Sequence, residues 1–398
     1  MNFQNHRQAL VEKLEIVDLL KVMVEKDASD LYLVAGSPPV YRIEGISRRV
    51  GEVPLTPQDI EGVARSTMND AQWTQFGDAL EMDLVISLAN LSRFRVNAFR
   101  QRGSIGLVIR KVKFEIESIE DLGLPPILKE ISALKKGLIL VVGAAGTGKS
   151  TTLAAMIDYR NAHGPGHIIT VEDPIEFVYK HKQCLVSQRE LGFDTHSFGE
   201  ALKHAVRQAP DVILIGEIRD TESMEAAISF ADTGHLCLAT LHSANAMQSF
   251  ERVLNFFPAT RHAQVLVQLS LNLRAIIAQR LIPSLDGAKR FAAVEVLLDT
   301  PRIRELIKTA EIDALRDAMD QGIHEGCQTF DQALFLLYKE GLITLDQALA
   351  NADSANNLRL KIKLEGLKQQ EAAKATGRAT ESLADNPRTK KDFVVKRS

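Results

Sequence analysis

Residues 138–142 read Leu-Ile-Leu-Val-Val and run directly into Gly-Ala-Ala-Gly-Thr-Gly-Lys-Ser-Thr at 143–151. This order restricts the chain to folds that set a glycine-rich turn between a buried strand and a helix. Gly143, Gly146 and Gly148 free the backbone, so that the N–H groups of Ala144, Ala145 and Thr147 can turn toward a β-phosphate. Lys149 supplies a cation for the β- and γ-oxygens, and the Ser150 hydroxyl is a ligand for Mg²⁺, with Thr151 beside it. A helix from Ser150 to about Arg160 is expected to point its positive end at the phosphates. The segment predicts a nucleotide triphosphate site.

Net charge and cysteine content narrow the class. Formal net charge is −3, which gives no electrostatic reason to expect a nucleic-acid partner. A helicase is disfavoured further by the lack of basic residues interleaved with aromatic ones. Cys184, Cys237 and Cys327 are scattered, with no CxxC pair, so a reducing cytosolic compartment is expected. The N-terminal stretch carries charge throughout, and no apolar run has the length of a membrane span.

At 398 residues the chain has room for two cores. Residues 1–112 read as a small α+β unit: a helix over roughly 7–25, then strands over 30–34, 40–44, 83–88, 93–99 and 105–110. Thr56-Pro57-Gln58-Asp59 marks a helix start, with Thr at the N-cap, Pro at the first helical position and an acid at the third. In the strand at 93–99, Phe94, Val96 and Ala98 alternate with Arg93, Arg95 and Asn97, so one face is buried and the other basic. Residues 113–126, with Gly-Leu-Pro-Pro and no sustained period, read as a linker. From 127 to about 300, strands at 138–142, 167–171, 212–215 and 236–240 alternate with helices, which implies a mostly parallel α/β sheet. Ser197-Phe198-Gly199-Glu200 opens one of those helices. Residues 301–350 read as a helical cap. The tail 351–398 holds 11 Lys and Arg against 6 Asp and Glu, and is expected to be a helix fraying into disorder.

Hydrolysis needs carboxylates at the carboxyl ends of strands beside the phosphate loop. Two strand ends supply them. The strand at 168–171 ends in Glu172-Asp173, and the strand at 212–215 ends in Gly216-Glu217. Many phosphate-loop enzymes place a Mg²⁺-holding Asp where Gly216 stands here. Glu217 is therefore read as the base that orients water, with Glu172 and Asp173 as Mg²⁺ or water partners. The alternative for all three is a salt bridge to Arg219 or Arg189. His235 and His242 bracket the strand at 236–241 an odd number of residues apart, so they point to opposite faces and do not share a metal. One could sense the γ-phosphate while the other lies at a subunit boundary. Arg93, Arg95 and Arg110 are candidates for a charge brought to the phosphate from another domain or subunit, with Arg252 weaker. The plain alternative is a solvated basic face.

These boxes taken together resemble the type II/type IV secretion ATPases. The loop at 143–151, the acidic box Val171–Phe177, the Asp211–Asp220 stretch and the histidine box Thr233–Ser243 match that family in order and spacing. The segments at 27–45 and 93–99 resemble the PAS-like domain of its pilus-retracting PilT/PilU branch. The resemblance implies a PAS-like N-terminal domain at 1–112, followed at 127–350 by a RecA-like ATPase domain with a helical C-terminal cap. It also implies ATP and Mg²⁺ as cofactors, with Ser150 and Glu172 toward the metal. Glu217 takes the place of the catalytic glutamate, Glu172 of the acidic-box glutamate, and His235 and His242 of the histidine pair. Arg95 and Arg110 are placed toward the nucleotide. The implied assembly is a homo-hexamer in the cytoplasm, peripheral at the inner membrane beneath the pilus machine, with a PilT paralogue and an inner-membrane platform protein as partners.

Assembly members of the family carry an extra N-terminal region and usually a tetracysteine zinc insertion. Neither is seen here, which favours retraction. At the position of the Ala-Ile-Arg-Asn-Leu-Ile retraction motif the chain has Arg302 for the Ala and Glu305 for the Asn. With the basic tail, this points to the PilU type, an accessory member acting with PilT. A mainly structural ring partner whose own catalysis is dispensable is the rival expectation.

Overall fold

The computed structural model describes residues 15–88, 91–112 and 114–375. Residues 1–14, with the start of the expected first helix, residues 89–90, Lys113 of the expected linker, and 376–398 of the tail lie outside them.

Six strands form an antiparallel N-terminal sheet: β1 (Asp30–Val34), β2 (Val40–Ile43), β3 (Ile46–Arg49), β4 (Glu81–Leu88), β5 (Ser92–Gln101) and β6 (Ser104–Val112). Their order is β3-β2-β1-β6-β5-β4. The alternation expected in β5 is present. Phe94, Val96 and Ala98 are buried, while Arg93, Arg95 and Asn97 face the other way. The helices Ile16–Glu25 and Pro57–Thr67 turn Leu20, Met23, Ile60 and Val63 onto that core. Thr56 opens the second helix with the predicted reciprocal cap: its side chain accepts from the Asp59 N–H, and Asp59 accepts from the Thr56 N–H at 2.8 Å.

Seven further strands follow: β7 (Gly137–Val142), β8 (Gly166–Glu172), β9 (Cys184–Glu190), β10 (Val212–Ile215), β11 (Leu236–Leu241), β12 (Leu273–Pro283) and β13 (Arg290–Leu298). Their order is β13-β12-β7-β11-β10-β8-β9, parallel throughout except for the β12–β13 pair. Every residue of β7, β10 and β11 is buried, which is why these strands read as unbroken apolar runs. Helices Lys149–His163, Phe198–Ala205, Thr221–Asp232, Ala246–Leu254 and His262–Asn272 connect the strands. The helices Pro301–Lys308, Leu315–Gln321, Phe330–Lys339 and Leu345–Ala350 follow the sheet, where a cap was expected, and Ala355–Ala375 continues the chain.

Buried residues fall into two clusters, one within 16–109 and one within 119–358. Ile119 and Leu124, in the stretch read as a linker, bury in the second. Among the described residues no helix is long and apolar enough to cross a membrane.

Candidate functional site

Parallel strands bring their carboxyl ends to one edge, and the loops leaving β7, β8, β10 and β11 meet there in a single cleft. From the β7 loop come Ala145, Gly146, Lys149 and Ser150. Glu172, Asp173 and Glu176 come from the end of β8, Gly216 and Glu217 from β10, and Thr240 and His242 from β11.

The loop after β7 has the geometry its glycines allow. Gly146 and Gly148 have φ of 76° and 90°, and Gly148 is the N-cap of the helix Lys149–His163. Gly143 has a second reason to be glycine. A Cβ there would come within 2.5 Å of Thr147 Oγ1 and 2.9 Å of the Gln279 carbonyl. Lys149 Nζ donates to the Gly143 and Ala144 carbonyls, 2.9 Å to each, so the ammonium is held over the loop that would cradle phosphate. Burial lowers the Lys149 pKa, opposed by the charges of Glu217 and Glu176. Thr152 Oγ1 donates to Gln279 Oε1 at 2.7 Å, which fastens the first turn of the helix to β12.

The Gly216-Glu217 ending of β10 is explained by crowding. A Cβ on Gly216 would stand 3.1 Å from the Glu172 Cα and 3.2 Å from the Val171 carbonyl, so an Asp there would need the end of β8 to give way by a few tenths of an ångström. The acidic group moves one residue on. Glu217 Oε2 accepts from Arg219 Nε at 2.8 Å, and Oε1 lies 3.2 Å from His242 Nε2. Arg219 also donates to Asp173 Oδ2 at 3.0 Å. The salt bridge to Arg219 considered as an alternative for these carboxylates is thus present, and both carboxylates still line the cleft. Arg219 holds the two loops in register. Arg219→Ala is expected to lower turnover about 10-fold, in keeping with losing hydrogen bonds to charged groups. Arg219→Lys should recover only part, because an ammonium cannot bridge both carboxylates in one plane. Steady-state phosphate release measures both.

Glu172 ends β8 and is buried, at 8% exposure. Thr170 Oγ1 donates to its Oε1 at 2.6 Å and Gln188 Nε2 to the same atom at 3.2 Å. Burial pushes its pKa up to about 7 against the pull of those two donors, with Glu176 and Glu190 adding to the rise. Among the described residues no group of three or more His, Cys, Asp or Glu side chains is placed to hold a metal. Mg²⁺ commonly takes one or two carboxylates together with phosphate oxygens. The hard oxygens of Ser150 and the acidic residues fit an ion that arrives with the nucleotide.

The remaining sequence candidates lie elsewhere. His242 lines the cleft, but His235 sits at the opposite end of β11, where its carbonyl accepts from Gly137 N–H and its Nδ1 lies 3.1 Å from Thr233 Oγ1. The two histidines are thus separated by the length of a strand. Arg95 faces Glu190 and Arg110 donates to Asp30 Oδ1 at 2.9 Å, and neither is among the residues lining the cleft. Gly143, Ala144, Thr147, Gly148 and Thr151 complete the loop and the first turn behind the lining residues. Sequence reasoning missed Gln188, because β9 was not recognised as a strand, and also Leu153, Phe177 and Tyr179, which form the apolar wall.

A parallel sheet carrying a phosphate loop with acidic residues on two neighbouring strand ends defines a phosphate-loop ATPase. The family model described as "Type II/IV secretion system protein" matches residues 5–348, and the chain belongs to that family. It is 51% identical over 351 residues to the type IV pilus ATPase PilU of Pseudomonas aeruginosa, covering 88% of this chain and 92% of that one. To the type IV pilus retraction ATPase PilT of the same organism it is 42% identical over 344 residues, covering 86% and 100%. Among solved structures, the pilus retraction motor PilT with bound ADP superimposes with a TM-score of 0.79 at 42% identity, over 86% of this chain and 98% of that one. The Legionella pneumophila ATPase DotB gives 0.70 at 25% identity, over 83% and 93%.

Proposed function

We propose that this chain is the subunit of a hexameric motor that powers or assists type IV pilus retraction, turning ATP hydrolysis into domain rotation against an inner-membrane platform protein. The observation that carries the reading is Glu217, held by Arg219 and His242 across the cleft from Lys149 in a chain half identical to PilU. In this reading 1–112 is a PAS-like domain, 113–126 a linker, 127–350 the ATPase domain with its cap, and 351–398 a basic tail. The protein works in the cytoplasm, peripheral to the inner membrane.

Each residue acts by its position. The loop 143–151 binds the β- and γ-phosphates through backbone N–H groups and Lys149. Glu217 accepts a proton from, or orients, the attacking water, and His242 reports the γ-phosphate to Glu217. Asp173 and Glu172 shape the acidic wall. Mg²⁺, when bound with ATP, would neutralise developing phosphate charge beside Ser150. Arg95 and Arg110 complete the charge when the N-terminal sheet closes on the cleft.

A second reading is a coupling ring working with a PilT paralogue, its own hydrolysis dispensable. Arg302 and Glu305 favour it: both are exposed on the helix Pro301–Lys308, where they alter the charge of a docking face. The two separate in living cells. A piliated strain whose copy of this chain carries Lys149→Ala is expected to lose retraction force as a deletion strain does, read by pilus labelling and force measurement. Retraction at full force with Lys149→Ala, alongside weakened retraction in the deletion, would instead establish the coupling role.

A further inference from the structure

We infer that Glu190 is a resting counter-ion that holds Arg95 away from the phosphate cleft, so that nucleotide must compete with a built-in carboxylate for the arginine strand. The inference rests on the reading of Arg95 given above.

Glu190 is the last residue of β9, only 1% exposed, and its position on the ATPase sheet is fixed. Its N–H donates to Asp194 Oδ2 at 2.8 Å, and the next residue, Leu191, donates its N–H to the Glu172 carbonyl at 2.9 Å. In the β8–β9 ladder Glu190 stands directly opposite Glu172. Residues paired this way share a face, one strand spacing of about 4.8 Å apart. The carboxylate therefore stands one strand beyond the acidic wall of the cleft.

The arginines reach it from the N-terminal sheet. Arg93 Nη2 donates to Glu190 Oε2 at 2.7 Å, while Arg95 Nε lies 3.5 Å from Oε1, an ion pair without a hydrogen bond. Two guanidinium groups thus share one carboxylate, leaving a surplus positive charge one strand from the phosphate loop's acidic wall.

The contact is also incomplete. Among the described residues, Arg93 Nε and Glu190 Oε1 are buried without a hydrogen-bond partner. An Arg–carboxylate fork with two parallel bonds would satisfy both atoms. A contact left half-closed is weaker than a permanent fastening, and a polyphosphate carrying several negative charges competes well against one carboxylate. Arg110 is held in a similar way by the buried Asp30, but within its own sheet.

The experiment uses the full-length protein and measures ATP hydrolysis against ATP concentration for four variants. Glu190→Gln keeps the shape and removes the charge. It is expected to lower KM for ATP about 5-fold, the low end of coupling between linked sites, with kcat within about 2-fold of the parent. Arg93→Met leaves the Glu190 carboxylate to Arg95 alone and should raise KM, which keeps the test open if Glu190→Gln does not fold. Arg95→Ala should raise KM, and adding Glu190→Gln to it should then change nothing. A fall in thermal stability with KM raised or unchanged in Glu190→Gln, or with KM unchanged in Arg93→Met, would make the cluster a structural clasp and overturn the inference. If Arg95→Ala leaves KM unchanged, the reading of Arg95 itself fails instead.

Discussion

Glu217→Gln is expected to reduce kcat for ATP hydrolysis by about 100- to 1,000-fold, within the range that a positioned general base contributes. Nucleotide affinity should stay close to that of the parent, because the loop 143–151 and Lys149 are untouched. The side chain has the geometry for this work. It stands at the carboxyl end of β10, one oxygen on Arg219 and the other 3.2 Å from His242, so its orientation is set before substrate arrives. The amide keeps the shape and one acceptor but cannot take a proton. Phosphate release under saturating ATP, with affinity measured separately on a fluorescent nucleotide, distinguishes chemistry from binding. A variant hydrolysing at the parental rate would remove Glu217 from the mechanism. Were it only the partner of Arg219, the substitution would lower thermal stability and spare kcat.

The cleft was legible in the sequence wherever function is local. Strand, glycine turn, Lys and Ser lie within fourteen consecutive residues, so their arrangement follows from chain geometry. Glu172, Asp173, Glu217 and His242 could be placed because each ends an apolar run, and parallel strands share an edge. The tight packing around Gly216 was not legible, since it arises between β8 and β10, far apart in the chain. Neither was Gln188. Its strand alternates buried and exposed residues weakly, and only the β8–β9 pairing puts its amide on Glu172. Arg219 was noticed as a salt-bridge partner, but that it spans two loops is a tertiary fact. The same limit applies to the arginines: β5 announced a basic face, yet its resting partner Glu190 lies 97 positions from Arg93. β12 and β13, which read as no regular element, carry Gln279 and the buried Glu295 into the sheet.

Glu172 carries the second large expected effect, a pH dependence with a definite sign. Its carboxyl is pushed up to about 7 from 4.5 in the folded protein, chiefly by burial. The folded state therefore keeps a proton that the unfolded chain releases near its ordinary value. Stability falls as pH rises between those two values, and the full penalty is present above about 7. A shift of this size corresponds to about 3 kcal/mol. Glu172→Gln keeps an acceptor for Thr170 and Gln188 and removes the penalty, so it should stabilise the nucleotide-free protein by about 3 kcal/mol at pH 8 but by less than about 1 at pH 5. Denaturant unfolding at the two pH values measures the difference, and a gain independent of pH would overturn the assignment. Turnover separates the role from the burial. With Glu172 ionised in the acidic wall, parental kcat/KM, which reports the nucleotide-free enzyme, rises with pH through about 7, whereas in the Gln variant it is lower and lacks that rise. Glu295 is the control. It too is pushed up to about 7 by burial, but it stands on β13, accepts from the Ala246 N–H and lies outside the cleft. Glu295→Gln should therefore reproduce the stability trend while leaving the pH dependence of kcat/KM as in the parent, which ties the catalytic titration to the carboxylate beside the phosphate loop.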